Sequence, residues 1–504
     1  MPVDAPGLSR ATDQSEKGMK MANGENAPTN MSELLETVPN IVDHLFCNAP
    51  KNALTIYTQM MPGDGVRPEF TTWRDEQWAW RNTIAVHDQS YHMNSTHVRG
   101  PDAHAFMQYL SVNSYANFEV GAAKQLVCCS PEGYLIGDSI IYRMAEDDFM
   151  VVGNPATNEW VEFNAQTLDY DVQTEADPMW TLNKNKAREY YRFQIEGPKA
   201  WELLEELNGG PLPEIKFFRS AEINLGSFKA RGMRHSMGGM PGLEVYGPWA
   251  DYKDVRRLIM KEGKKYGLRM VGSVAYFTTV IESGWWAVPV SAVYSGQGTK
   301  GYRDWMSSKN ASMRMSLGGS LYSENIEDYY LTPYDVNYGH IIKFDHDFIG
   351  REALEAMAGN QKRKKVTLVW NAEDVMAVQQ SQLEDTGETP PLPITMPLAA
   401  IARMHYDRVE DANGNLIGIS TYPGYTANER AMMSIASVNM DHSEPGTEVT
   451  LIWGEDGGGS RSNGNLEAHT QVKIRATVAP SPISKAAQSY RSEIGIKRGS
   501  VNQA

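Results

Sequence analysis

The sequence predicts an α+β fold whose C-terminal part is all-β. Strand-like and helix-like segments alternate up to about residue 361 without the regular strand–helix period of a doubly wound sheet. Beyond that point short alternating runs take over: Asn413-Gly414 is a hairpin turn signal, and 449–453 and 472–478 alternate in polarity. A chain of 504 residues also exceeds what one small core can organise, so two or three domains are expected. No internal repeat is visible.

The elements follow in chain order. Residues 1–30 are Gly, Asn, Pro, Ser and charge without an apolar run, which reads as a disordered tail rather than a signal peptide or an anchor. Ser32 is the expected N-cap of a first helix carrying Leu34, Leu35 and Val38. Residues 73–82 put Trp73, Gln77, Trp78, Trp80 and Arg81 on helical spacing, an aromatic packing helix rather than a cofactor box. Residues 138–153 read as a hairpin: Ile140 to Met144, an acidic turn at Glu146-Asp147-Asp148, then Phe149 to Val152. Pro198 opens a helix with Trp201, Leu204 and Leu207 on its apolar face and Gly209-Gly210 as its stop. Tyr252, Val255 and Ile259 repeat that pattern before Gly267. The basic run Lys362 to Lys365 reads as a solvated linker at a domain boundary, and 384–397 as an acidic, proline-rich insertion. The expected division is a tail over 1–30, a catalytic region over 31–361, a C-terminal β domain over 362–480 and a second tail over 481–504.

Composition narrows the function. A formal net charge of −15 argues against a nucleic-acid partner, although a local basic group can still hold an anionic small molecule. No stretch approaches the roughly 18 apolar residues that span a bilayer. The three cysteines, Cys47, Cys128 and Cys129, are too few and too oddly placed for a disulfide framework and fit a reducing cytoplasm.

The most informative stretch is Arg234 to Pro248, R-H-S-M-G-G-M-P-G-L-E-V-Y-G-P. Glycines 238, 239 and 242 lead into an alternating strand, with Leu243 and Val245 on one face and Glu244 and Tyr246 on the other. A carboxylate and an aromatic ring then share a face beside a loop that lets a flat ligand approach the backbone. An ionised carboxylate can accept two adjacent N–H donors, such as those on a pterin or purine edge. A plain hairpin with a solvated Glu fits these residues as well.

Other motifs lead nowhere. Gly296, Gly298 and Gly301 form G-x-G-x-x-G, but without a complete strand–helix–strand unit. Cys128 and Cys129 are adjacent and lack iron–sulfur spacing. Asp102 and His104 are followed by Met107 where a corrinoid motif needs Gly, and the five-residue steps between His87, His92 and His97 do not share a helical face. Redox cofactor and metal are disfavoured.

Several segments together resemble the glycine-cleavage T-protein (aminomethyltransferase) superfamily: D-Q-S-Y-H-M at 88–93, G-Y-L-I-G-D-S-I-I-Y-R ending at 143, E-G-P-K-A at 196–200, G-L-E-V-Y at 242–246 and K-F-D-H-D-F-I-G-R-E-A-L at 343–354. The resemblance runs from about 40 to 480. W-R-D-E-Q-W-A-W-R-N at 73–82 and S-E-N-I-E-D-Y-Y at 323–330 bring it nearer to the tetrahydrofolate-dependent aromatic O-demethylases acting on vanillate, 3-O-methylgallate and syringate. It implies two intertwined folate-binding subdomains and a small C-terminal β-barrel, with the ligand in a central channel.

It also implies residue roles. Tyr276, in G-S-V-A-Y, would be the acid that assists the departing aryl oxygen, since a phenol with a pKa of roughly 10 matches a phenolate leaving group. His92 would hydrogen-bond the substrate's ring oxygen, or a neighbouring hydroxyl where one exists, and Tyr57 would line the same pocket. Glu244, Gln194 and Tyr246 would face the pterin, Trp285 would stack on the folate or serve only in packing, and Asp138 would orient the folate or serve as a structural cap. Where vanillate-type enzymes have Val-Gly-Arg, this chain has Val152-Gly153-Asn154. Asparagine cannot offer a carboxylate the charge-assisted fork of arginine, so ring substituents or carboxylate pose must differ. The implied reaction moves the methyl group of a methoxybenzoate (syringate-, 3-O-methylgallate- or vanillate-like, or chlorinated such as dicamba) to tetrahydrofolate. Rival readings are an aminomethyltransferase of glycine cleavage, against which Met240-Pro241 replaces the T-protein's acidic loop, and a folate-binding protein without activity.

Overall fold

The computed structural model describes residues 28–48, 66–153, 155–183, 187–310, 313, 315–462 and 465–494. Two sheets interleave along the chain. The first has six strands in the order Leu268–Val271, Ile84–Asp88, Tyr190–Glu196, Gly242–Pro248, Phe228–Arg234, Ser220–Leu225. Only the pair of Ile84–Asp88 with Leu268–Val271 is parallel. The chain leaves this sheet after Asp88, builds the second, and returns at Tyr190. The second sheet runs Ala123–Cys129, Leu135–Arg143, Asp148–Gly153, Asn94–Arg99, Gln173–Asp177. The expected hairpin is its centre, with Ile140 opposite Val152 and Tyr142 opposite Met150.

Strand periodicity places the side chains as the alternation requires. Leu243 and Val245 join Phe193 and Ile195 in the main core, whereas Tyr246 packs on the other face with Tyr142, Met150 and Met233. The helix Trp73–Asn82 begins at Thr72, whose Oγ1 accepts the Asp75 N–H at 3.3 Å. It is a packing element: Gln77 Nε2 reaches Thr278 Oγ1 at 3.0 Å and the Tyr425 carbonyl at 3.2 Å, and Trp80 Nε1 donates to Glu282 at 3.1 Å. The helix Ala200–Asn208 stops at Gly209, whose φ of 78° a side chain would resist.

The C-terminal part closes into a six-stranded barrel: Arg363–Trp370, Ala431–Asn439, Leu416–Thr426, Asp407–Glu410, Glu448–Trp453, Val472–Ala479. Closure removes the sheet edges, and a separate apolar core fills the interior. The Asn413-Gly414 turn joins two of these strands. No helix among the described residues is long and apolar enough to cross a membrane.

Three local expectations are corrected. The first helix is Met31–Thr37 and its cap is Asn30, not Ser32. The Glu33 carboxylate reaches back to Thr29 and Asn30, and Asn30 accepts the Glu33 N–H at 2.9 Å. The Lys362 to Lys365 run is no solvated linker, because the first barrel strand begins at Arg363 and Lys365 is buried. Within the expected second tail lies the helix Lys485–Glu493, capped by Ser484, with Ala487 and Tyr490 buried. So few apolar positions leave no stripe to read.

Candidate active site

A cavity of about 1610 Å³ opens between the two sheets and the barrel, lined by residues of all three. On the first-sheet side, the chain turns after Ile84–Asp88. Asp88 holds this turn by accepting the Ser90 N–H at 3.0 Å and the Tyr252 hydroxyl at 2.7 Å. The turn presents Gln89 and His92 to the cavity. Opposite stands Tyr276, at the end of the short helix Ser273–Tyr276. His92 Nε2 and Tyr276 Oη lie 2.9 Å apart.

Burial, reinforced by Arg188, pulls the His92 imidazole down to about 3, so it is neutral at working pH. Burial also pushes the Tyr276 phenol well above its ordinary value, against a hydrogen bond from Gln89. The pair is therefore uncharged. A neutral phenol with a raised pKa keeps its proton and can offer it as a hydrogen bond. His92 Nδ1 and Gln89 Oε1 are buried without a hydrogen-bond partner among the described residues. Such atoms call for a ligand or water.

Glu244 lines the cavity and is 2% exposed. Its Oε1 accepts the Tyr142 hydroxyl at 2.5 Å and Arg192 Nη1 at 2.9 Å. Arg192 offsets the cost of burying that carboxylate and lies over the Tyr246 ring at 4.7 Å. Tyr246 and Gln194, expected to touch a pterin, are not among the cavity-lining residues. Tyr246 sits behind Arg192. Gln194 sits behind His235, donating to its carbonyl at 3.0 Å with Oε1 3.2 Å from its Nδ1.

The glycine loop is also held by the protein's own packing. Buried Glu196 accepts the N–H groups of Met237 (3.1 Å) and Gly238 (2.8 Å) and the Ser236 hydroxyl (2.9 Å). At Gly239, φ is 79° and a Cβ would lie 2.4 Å from that of Ala487. Gly239 thus admits the chain's own C-terminal helix. What the loop turns toward the cavity is His235, Ser236, Met237 and Gly239.

On the second-sheet side Asp138 lines the cavity beside Trp285. Asp138 Oδ2 accepts Gln125 Nε2 at 2.6 Å, the Tyr338 hydroxyl at 2.7 Å and Trp285 Nε1 at 3.1 Å. Burial raises the Asp138 pKa, while those three hydrogen bonds and Lys365 pull it down. Asp138 caps none of the described helices. It is the hub that fixes the Trp285 ring against the cavity.

Tyr57 and Asn154 lie outside the described residues. Sequence reasoning missed Gln89, Gln125, Arg192 and Tyr338. Gln89 stood in the same six-residue motif as His92 and could have been found there; Tyr338 carries no local signal. The loop at Gly296 and Gly298 faces the Glu132 carboxylate, which accepts the Gly298 N–H at 3.4 Å, so an anion has no place there.

A family model described as the GCVT N-terminal domain matches residues 48–289. A syringate O-demethylase from Sphingobium sp. is 40% identical over 459 residues, covering 91% of this chain and 96% of that one. A sesamin methylene transferase from Sinomonas sp. is 28% identical, with 76% and 82% covered. Among solved structures, the glycine cleavage system aminomethyltransferase T from Bartonella henselae superposes with a TM-score of 0.54 at 18% identity, covering 82% of this chain and 90% of that one. The interleaved sheets, the barrel and the shared cavity define an enzyme of the T-protein fold class. Within that class the chain belongs to the tetrahydrofolate-dependent O-demethylases of the aminomethyltransferase superfamily. Tetrahydrofolate is the methyl acceptor of this family. The cavity suits it: two buried carboxylates and a tryptophan ring line a space large enough for a folate and a benzoate together.

Proposed function

We propose that the protein transfers the methyl group of a methoxybenzoate to tetrahydrofolate, with a syringate-like acid as first substrate. The neutral Tyr276–His92 pair on the cavity wall carries this reading. Tetrahydrofolate supplies the nucleophile, its N5 amine. As the methyl–oxygen bond breaks, its electron pair stays on the aryl oxygen, where Tyr276 offers a hydrogen bond. For Tyr276 to point its proton there, His92 must donate from Nε2 to Tyr276 Oη, which makes Nδ1 an acceptor. A hydroxyl next to the methoxy group, as syringate has, is the donor that Nδ1 would take. Across the whole reaction the acceptor amine loses one proton and the aryl oxygen gains one, so methyl and hydrogen exchange places.

Glu244 and Asp138 are assigned to the folate, the first to its N–H edge and the second to orienting it. The 40%-identical syringate O-demethylase supports a syringate-like acid over vanillate, 3-O-methylgallate and dicamba. Cys47, Cys128 and Cys129 are all unbridged, which supports a cytoplasmic setting. The test is an assay of a methoxybenzoate panel with tetrahydrofolate, following 5-methyltetrahydrofolate. Syringate should lead. Turnover only with a lipoyl-carrier protein would replace this reading with glycine cleavage.

A further inference from the structure

The barrel-side wall of the cavity is basic. Lys365, on the first barrel strand, is buried, and burial together with Arg491 holds its ammonium down to about 7, against the pull of Asp138. Arg491, on the helix Lys485–Glu493, donates to the Ser283 carbonyl at 2.7 Å. Arg363, Lys364 and Lys485 line the same cavity. None of these five forms an ion pair with a described residue. His340 also lines this wall, but burial lowers its pKa and leaves it uncharged near neutrality. Tyr338 faces Lys365 with its ring.

In a chain of net charge −15, five cations gathered on one cavity wall, with Asp138 near Lys365 but none of the five in an ion pair with a described residue, mark an anion site. Lys365 and Arg491 raise the energy of one another when both are charged, and a bound carboxylate relieves this. The five come from two elements, so they line a wall rather than a point. A folate with one glutamate has two carboxylates to offer them. Each further γ-linked glutamate adds one more.

We propose that this wall is a subsite for a run of carboxylates, the oligo-γ-glutamyl extension of tetrahydrofolate. The inference rests on the reading above that folate occupies the cavity. The shared chemistry also admits a free oligocarboxylate, and the experiment separates the two.

Affinities of the full-length protein for tetrahydrofolate with one and with five glutamates are measured by calorimetry, at low and at raised salt. The longer form should bind about tenfold or more tightly, and the advantage should shrink as salt rises. In the double variant Lys364→Gln/Lys485→Gln it should fall to about threefold or less, with the melting temperature kept. Equal affinity for the two forms overturns the proposal. So does a free penta-γ-glutamate that binds as tightly as the conjugate, since the wall would then be a general anion site. Failure of both folates to bind would instead remove the functional reading itself.

Discussion

Tyr276 Oη and His92 Nε2 meet at 2.9 Å across 184 residues of chain, with their rings edge to face at 83°. Neither side chain carries a charge: burial holds the imidazole down to about 3 and the phenol well above its usual range. A neutral pair costs less to bury than an ionised one and leaves the cavity's field to Glu244, Asp138 and the basic wall. In the proposed reaction the pair would place one hydrogen-bond donor where negative charge grows.

Tyr276→Phe keeps the ring packing and removes that donor. Losing one such donor typically costs about 100- to 1,000-fold in kcat. KM for the aromatic acid should change little, because the interaction strengthens mainly in the transition state. A chlorinated methoxybenzoate, whose phenol is more acidic, should lose less rate than syringate. The check is kcat on both substrates with methyl transfer shown to be rate-limiting. A near-wild-type value on syringate would assign the work to another group.

A second prediction concerns pH and stability. His97 Nδ1 lies 2.8 Å from Asp148 Oδ1, and its Nε2 lies 3.2 Å from Glu189 Oε2. Burial pulls His97 down, but the hydrogen bonds and charges of Asp148 and Glu189 outweigh it and raise it to about 9. A raised histidine stabilises the fold fully below its unfolded pKa of about 6.5, and this is lost as pH climbs through 9. His97→Gln should therefore cost about 1–3 kcal/mol at pH 6 and much less at pH 10, read from urea melts. A pH-independent cost would mean that His97 acts by packing alone.

Legibility followed periodicity and local chemistry. The strand Gly242–Pro248, the hairpin around Glu146 and the helix Trp73–Asn82 were readable because each carries its own pattern and turn residues. Tyr276, His92, Asp138, Glu244 and Trp285 could be named from short motifs, and the fold brings all five to one cavity. The role of Glu196 was not readable. Nothing near it in sequence says that the Ser236 to Gly238 amides will fold back onto its carboxylate. The basic wall was hidden for a related reason. Lys365 looked like linker and Arg491 like tail, since burial of a lysine or arginine is decided by distant packing rather than by its neighbours.

Chelators and oxygen give a third prediction. A methyl group moving with its bond to oxygen broken heterolytically exchanges no electrons with an oxidant, and the proposed donor for the departing oxygen is Tyr276. Turnover should therefore persist anaerobically and in EDTA. Loss on chelation, restored by added iron or cobalt, would contradict the transfer described.

The last prediction concerns Glu244 and depends on its buried partner. Arg192 donates to Glu244 Oε1 at 2.9 Å and lies over the rings of Tyr142 and Tyr246 at 5.2 Å and 4.7 Å. Glu244→Ala would leave that guanidinium buried and unpaired, which typically destabilises by about 3–5 kcal/mol. Lost folate binding in that variant would then be uninformative. Glu244→Gln keeps the shape and an acceptor oxygen for Arg192, and removes only the charge. Hydrogen bonds to a charged group contribute about 1.5–3 kcal/mol against about 1 for neutral ones, so the Kd for tetrahydrofolate should rise roughly tenfold. Adding Arg192→Met removes the unmatched cation, so the double variant should melt at least as high as Glu244→Gln while its folate affinity stays low. Calorimetric Kd and melting temperature, measured on all three proteins, separate the two roles. An unchanged Kd in Glu244→Gln would take Glu244 out of the folate site and leave it as the counter-ion of Arg192.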